Sequence, residues 1–238
     1  MNDLKNMINV QIKKMDIKLD EKKIDLICQY WQILRDWNQK INLTRIIEKR
    51  DFAIKHLADS LFILKYIEIP EGSEFIDIGT GPGIPGLLIK IVRPDIKMSL
   101  LESQRKKTDF LNFTIEKLEL ENIKVINDRA EIVAHDMAYR EKFDFVAARA
   151  VSALNVLAEL CLPFVKMGGF FVAMKGPNIA DEMRDAESAL NVMGGEIIKI
   201  FEYQLDDGSF RNLIKISKKK ESPPKYPRKP GIPEKNPL

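Results

Sequence analysis

The stretch that most restricts this chain is the ten-residue run Asp77-Ile78-Gly79-Thr80-Gly81-Pro82-Gly83-Ile84-Pro85-Gly86. It stands between a short apolar run, residues 75–78, and a helical pattern, residues 86–92. Glycines there let the backbone turn tightly and let a ligand approach where a Cβ would clash. In a doubly wound sheet the turn between such a strand and helix is where ligands bind. Gly81, Gly83 and Gly86 also spell G-x-G-x-x-G, which would suggest a nicotinamide or flavin cofactor. The register argues against it, because Pro85 and Gly86 fall at the helix start, where proline is well placed. Asp77 instead stands two residues before Gly79, giving D-x-G-x-G-x-G. A carboxylate at that strand end suits a donor with a cationic sulfonium and an ammonium group, S-adenosylmethionine, and would repel a pyrophosphate.

The rest of the chain repeats this strand-helix texture. Buried-strand runs are expected at 97–101, 123–126, 143–147 and 169–174, with helical patterns at 103–118, 155–165 and 179–193. Such alternation predicts a mostly parallel sheet with helices on both faces, an α/β Rossmann-like architecture. Two further runs, 196–203 and 210–217, have no helix between them and are expected to pair antiparallel at one edge. The first 70 residues read as helical: Asp20 can cap a helix whose stripe is Ile24, Ile27, Cys28, Trp31, Ile33, Leu34 and Trp37, and another helix is expected over 48–66. Pro70, Glu71 and Gly72 mark a boundary. Residues 1–70 are thus expected to form a helical extension, 71–217 the catalytic domain, and 218–238 a basic tail. The tail carries six prolines after Ser222 and is expected to be extended.

Composition narrows the chemistry. The only histidines are His56 and His135, and the only cysteines are Cys28 and Cys161, so no zinc-type cluster is spelled and no metal is expected. Neither histidine accompanies a G-x-S-x-G elbow, which leaves acyl transfer unsupported. Both cysteines lie in apolar helical patterns and read as reduced core thiols. No secretory signal or run of ~20 apolar residues is present, so a soluble cytoplasmic protein is expected, with no membrane partner. The net charge is only +3, but Lys218, Lys219, Lys220, Lys225, Arg228, Lys229 and Lys235 face only Glu221 and Glu234 in the tail. A basic end on a near-neutral body suggests a polyanion partner.

Glu102 closes the second strand run, 23 residues beyond Gly79, where a carboxylate can accept from both ribose hydroxyls of a nucleoside cofactor. After the third strand, Ala130 and Glu131 are the nearest candidates to read an adenine edge, and Asp128 can cap the helix that follows. The fourth strand ends at Arg149, a candidate active-site residue expected to hold the donor, a base O6 or a phosphate. Lys175 and Arg129 are the other cations at this edge. No N-P-P-Y or D-P-P-Y cradle for an exocyclic amine is present, and no Pro-Cys pair to attack a pyrimidine. A purine ring nitrogen such as guanine N7 fits that absence, because its lone pair carries no proton and needs no general base. Two other readings differ in class. An NAD(P) oxidoreductase would need a Tyr-x-x-x-Lys motif after the fourth strand, which is missing. A non-catalytic RNA-binding module would bind through the tail and not bind the donor.

FIDIGTGPGIPG, DRAE at 128–131, ARAV at 148–151, YPRKPG at 226–231, NLT at 42–44 and HLADSL at 56–61 together resemble the RsmG family, formerly glucose-inhibited division protein B. The resemblance implies a Rossmann-like class I methyltransferase with a seven-stranded sheet and an N-terminal helical extension. It implies transfer of a methyl group from S-adenosylmethionine, leaving S-adenosylhomocysteine, to N7 of guanine 527 in 16S rRNA. The partner would be that rRNA or the small ribosomal subunit, and the enzyme a monomer. Donor contacts are implied at Gly79, Ile84, Ala130, Glu131 and Arg149, beside Asp77, Gly81, Gly83 and Glu102 from the loop and second strand. Arg129, Lys175, Lys225, Arg228 and Lys229 would face RNA. Removing the residues after Ser222 is accordingly expected to weaken RNA binding and spare donor binding.

Overall fold

The computed structural model describes residues 2–149 and 152–238, so that Ala150 and Val151 of the ARAV run lie outside the described residues. Helix α1 (Asn2–Lys14) is followed by α2 (Glu21–Asn38). Asp20 caps α2 by accepting from the Lys23 amide at 2.8 Å, satisfying one of the donors a helix start leaves free. The Asn38 side chain ends it by taking the amides of Leu43 and Thr44, each at 2.9 Å.

The helix expected over 48–66 has three parts. Short α3 (Lys49–Asp51) runs into a π-helical turn, Phe52–Ala58, and then into α4 (Asp59–Tyr66). Arg149 Nη2 donates to the Lys55 carbonyl inside the widened turn at 2.7 Å, the kind of side-chain insertion that accompanies such a departure from regular helix.

Strands β1 (Glu74–Ile78), β2 (Lys97–Leu101), β3 (Ile123–Ile126), β4 (Phe143–Arg149) and β5 (Val165–Lys175) alternate with helices α5 (Gly86–Val92), α6 (Arg105–Lys117), α7 (Ala130–Val133) and α8 (Leu154–Cys161). Helices α9 (Ala180–Asp185) and α10 (Glu187–Met193) lead to β6 (Gly195–Gln204) and β7 (Phe210–Lys218). The seven strands form one sheet in the order β3-β2-β1-β4-β5-β7-β6. The first five are parallel, and β7 runs antiparallel between β5 and β6.

Side-chain alternation along each strand divides the core between two faces. Phe75, Leu100, Ala147, Val172 and Leu213 join the cluster that α1, α2, α4 and α5 cover. Their neighbours Ile76, Leu101, Ala148, Ala173 and Ile214 join the cluster under α8 and α10. Cys28 and Cys161 are buried in these two layers, and burial raises both thiols above the usual range.

The sheet order reverses between β1 and β4, which opens a crevice at the carboxyl ends of the strands. Among the described residues no helix is long and apolar enough to cross a membrane, and no His, Cys, Asp and Glu group is placed to hold a metal ion.

The C-terminal residues depart from the extended tail read in the sequence. Lys218 belongs to β7, and its side chain is buried. The chain beyond it lies on the body and closes with α11 (Ile232–Lys235). The reason is internal pairing: Glu141, Glu159 and Glu131 of the body accept amides of the tail, and Arg140 and His135 bond its carbonyls.

Candidate active site

The glycine turn is built around Asp77. One carboxylate oxygen accepts from Thr80 Oγ1 at 2.6 Å and from the Gly86 amide at 2.9 Å, so the loop closes over the acid and launches α5. A Cβ at Gly86 would stand 2.4 Å from Leu100 and 2.9 Å from that same oxygen, which only glycine avoids. Asp77 is fully buried, and Oδ1 has no hydrogen-bond partner among the described residues. Burial raises its pKa to about 7, against the opposing pull of the Thr80 and Gly86 bonds and of Arg149. Its place is therefore beneath the turn, and it does not line the cavity above.

Gly79 (φ +67°) and Gly81 (φ +58°) adopt the left-handed conformation, and a Cβ added at Gly81 would project into open space. The Gly81 amide donates to Glu102 Oε2 at 3.1 Å, and the other Glu102 oxygen takes the Gln104 amide at 2.8 Å. Gly83 and Ile84 are buried at the far side of the turn, Gly83 so tightly that a Cβ would stand 2.3 Å from Leu87.

A cavity of about 140 Å³ lies at the strand ends. It brings together Gly79, Glu102, Arg129, Ala130 and Glu131, five of the residues singled out in the sequence. Asp128 lines it too, and bonds the amide of Arg129 next to it at 2.7 Å, one residue short of the capping position that Arg129 occupies. Val156 and Leu160 of α8 supply an apolar wall. Pro233 and Glu234, which no motif pointed to, close the remaining side.

Arg149, Lys175, Ile84, Gly81, Gly83 and Asp77 lie outside that lining. Arg149 turns toward the N-terminal helices. Its Nε is 3.2 Å from Asp59 Oδ2, and Asp59 Oδ1 accepts from Tyr203 at 2.7 Å. Its Nη1 is buried with no partner among the described residues. His56, in the same π-helical turn, is bonded to Thr44 at 3.1 Å. Burial and the Arg149 charge lower its pKa to about 3, so it is neutral at physiological pH. Tyr30 of α2 donates to the Pro82 carbonyl at 2.7 Å and ties the helical layer to the glycine turn. Sequence reasoning missed Tyr30, Asp59 and Tyr203. Asp59 sits in HLADSL and Thr44 in NLT, so two motifs carried the signal without revealing the role.

The expected RNA-facing cations divide. Arg129, Lys225 and Lys229 are exposed. Lys175 is instead engaged inside the protein, with Glu182 and with the Ser152 carbonyl at 2.7 Å. Arg228 grips Glu159, fully buried, through Nε (3.0 Å) and Nη2 (2.6 Å).

The family model described as rRNA small subunit methyltransferase G matches residues 23–208. A protein of Desulforamulus reducens named ribosomal RNA small subunit methyltransferase G is 46% identical over 241 residues, covering 100% of both chains. One of the same name from Clostridium botulinum (strain Okra) is 41% identical over 234 residues, 98% of each. Among solved structures, M. jannaschii TYW2 in complex with AdoMet superposes with a TM-score of 0.51 at 14% identity, over 63% of this chain and 71% of that one. The geranyl diphosphate C-methyltransferase of Streptomyces coelicolor, solved with S-adenosyl-L-homocysteine, gives 0.51 at 15%, over 68% and 78%. These likenesses show the Rossmann-like methyltransferase fold.

Proposed function

This chain belongs to the rRNA small subunit methyltransferase G family, and from that membership we propose that it transfers a methyl group from S-adenosylmethionine to N7 of a guanine in 16S rRNA, guanine 527 by the family's pattern. It is an rRNA methyltransferase with a Rossmann-like fold. The observation that carries the donor half is the cavity where the glycine turn, Glu102 and the Asp128–Glu131 segment converge.

The residues present fit an adenosyl donor. The open direction at Gly81 is space that a side chain would fill, and Glu102 presents a buried carboxylate at the cavity, suited to ribose hydroxyls. Ala130 and Glu131 stand where an adenine edge would lie. When bound, S-adenosylmethionine supplies a methyl group on a cationic sulfur. Asp77, with one oxygen unpartnered among the described residues and its pKa raised by burial to about 7, is placed beneath the turn to complement positive charge above it.

Guanine N7 needs alignment and a dry pocket more than proton transfer. Arg149 is oriented by Asp59, itself held by Tyr203, and offers the unengaged Nη1 to a carboxylate or phosphate oxygen of the ligands. His56, held neutral, is a poor proton relay and serves the packing of that turn. Lys225 and Lys229 are exposed and available to phosphate, Arg129 is exposed but lies 3.8 Å from Glu131, and Lys175 and Arg228 hold the protein together. The setting would be the cytoplasm, with the protein acting as a monomer on the small ribosomal subunit.

The test is to incubate the protein with labelled S-adenosylmethionine and small subunits from cells lacking the enzyme, and then to analyse nucleosides. Label in 7-methylguanosine is expected. Donor binding without transfer to the small-subunit RNA would remove the assigned acceptor and leave the donor site standing.

A further inference from the structure

We propose that the C-terminal segment from Gly231 to Glu234 is part of the donor site, closing the nucleoside end of the pocket; this rests on the donor reading given above. Every other wall of the cavity comes from the carboxyl ends of β1, β2 and β3, the segments that follow them, Ser152 and α8. Pro233 and Glu234 arrive from the far end of the chain, across 58 residues beyond β5.

They are brought there by a series of built contacts. Lys218 Nζ, fully buried, bonds the Leu162 carbonyl at 2.8 Å and meets Ser222 Oγ and Glu141. The Ser222 amide donates to Glu141 Oε1 at 2.9 Å. Arg140 then holds the carbonyls of Ser222 (2.7 Å) and Tyr226 (3.0 Å), and the His135 ring bonds that of Pro227 at 2.8 Å. Glu159 takes both the Arg228 amide, at 2.7 Å, and its guanidinium. Finally the Gly231 amide donates to Glu131 Oε1 at 3.1 Å, and Glu131 is itself a residue of the proposed adenine edge.

Buried charged groups are costly to leave unpaired. Lys218, Glu159 and Glu131 are all buried and engage Ser222, Arg228 and Gly231 in turn, so the chain that leads to this segment does not behave as a solvated tail. The cavity is small, about 140 Å³, against the ~300–1,000 Å³ usual for small-molecule sites. A nucleoside seated against Asp128–Glu131 therefore meets the segment directly. Pro233 is buried there, a rigid apolar ring with no amide hydrogen to leave unpaired, which suits the face of a planar base. This assignment runs against the expectation that the tail serves RNA alone.

The test compares the full chain with one ending at Pro230, which keeps the Arg140 and Glu159 clamps. Calorimetry would measure binding of S-adenosylmethionine and of adenosine, and thermal melting would verify the fold. The shortened chain is expected to bind both ligands about tenfold more weakly. Adenosine is also expected to slow hydrogen exchange at the Gly231 and Ile232 amides of the full chain. Should the shortened chain fold poorly, Pro233→Ala in the full chain takes its place, with a smaller loss for both ligands. Equal or tighter binding after truncation or substitution, or exchange unchanged by adenosine, would overturn the assignment while leaving the donor site intact. No binding of either ligand by the full chain would overturn the donor reading and this inference with it.

Discussion

The carboxyl group of Asp77 has one oxygen satisfied by Thr80 and Gly86 and the other without a partner among the described residues. Burial dominates its ionisation and moves its pKa to about 7, well above the unfolded value of 3.8. The folded chain thus keeps a proton that the unfolded chain has lost, so stability declines as pH rises from about 4 to about 7 and levels off above. Asp77→Asn, compared with the parent in urea titrations across that range, should lose this part of the slope. An unchanged slope would mean that the acid is ionised in the fold. At Gly81 the issue is space and handedness together. Its φ of +58° costs an L-residue about 1–2 kcal/mol, and its Cβ direction is open. Gly81→Val should therefore melt only modestly lower yet lose donor binding by calorimetry; intact affinity would show that the donor does not approach this turn.

Elements act here mainly by holding one another. The π-helical turn surrenders the Lys55 carbonyl to Arg149, while Asp59 at the start of α4 takes the same guanidinium. A helix layer and a strand end are thereby joined at one side chain. The C-terminal segment works similarly through Arg228 and Glu159. Arg228→Ala would leave Glu159 buried without its counter-charge, keeping only the backbone amide of residue 228. Loss of one partner of a buried pair costs about 3–5 kcal/mol in comparable sites. Urea denaturation should show a loss of that order. A change below about 1 kcal/mol would put the pair in the class of exposed ion pairs and make the segment a loosely held one.

For the molecule as a whole, the helices before residue 70 cover one face of the sheet. Leu4, Ile8, Ile27, Trp31 and Leu34 are buried in the same cluster as Phe75, Ala147 and Val172. Fully burying each large apolar side chain is worth about 1.5–3 kcal/mol, so losing these five would remove burial energy comparable to the whole net stability of an ordinary domain. A chain lacking residues 1–38 is expected to lose its cooperative unfolding transition and to expose apolar surface, read by circular dichroism and dye binding. A sharp transition retained at the parent's midpoint would show that the sheet stands without the layer. The Tyr30 bond to Pro82 means that this face also supports the glycine turn.

Strand-helix alternation, the antiparallel final pair, the Asp20 cap and the glycine turn were all legible along the chain, because each depends on neighbours a few residues apart. Periodicity and capping are local physics, and the structure has all seven strands where they are read. Glu102, Ala130 and Glu131 could likewise be placed at one cavity, since strand ends in a doubly wound sheet share an edge. Tertiary structure alone decided which way the side chains at that edge turn. Asp77 goes under the loop, Arg149 toward Asp59 and Lys55, and Lys175 and Arg228 onto Glu182 and Glu159. For Arg149 and Arg228 those choices follow from pairing charges that folding takes out of water, with partners 69 to 94 residues away. No pattern within one segment records such a partner, and for the same reason the tail read only as extended along the chain is fastened across the cavity in the fold.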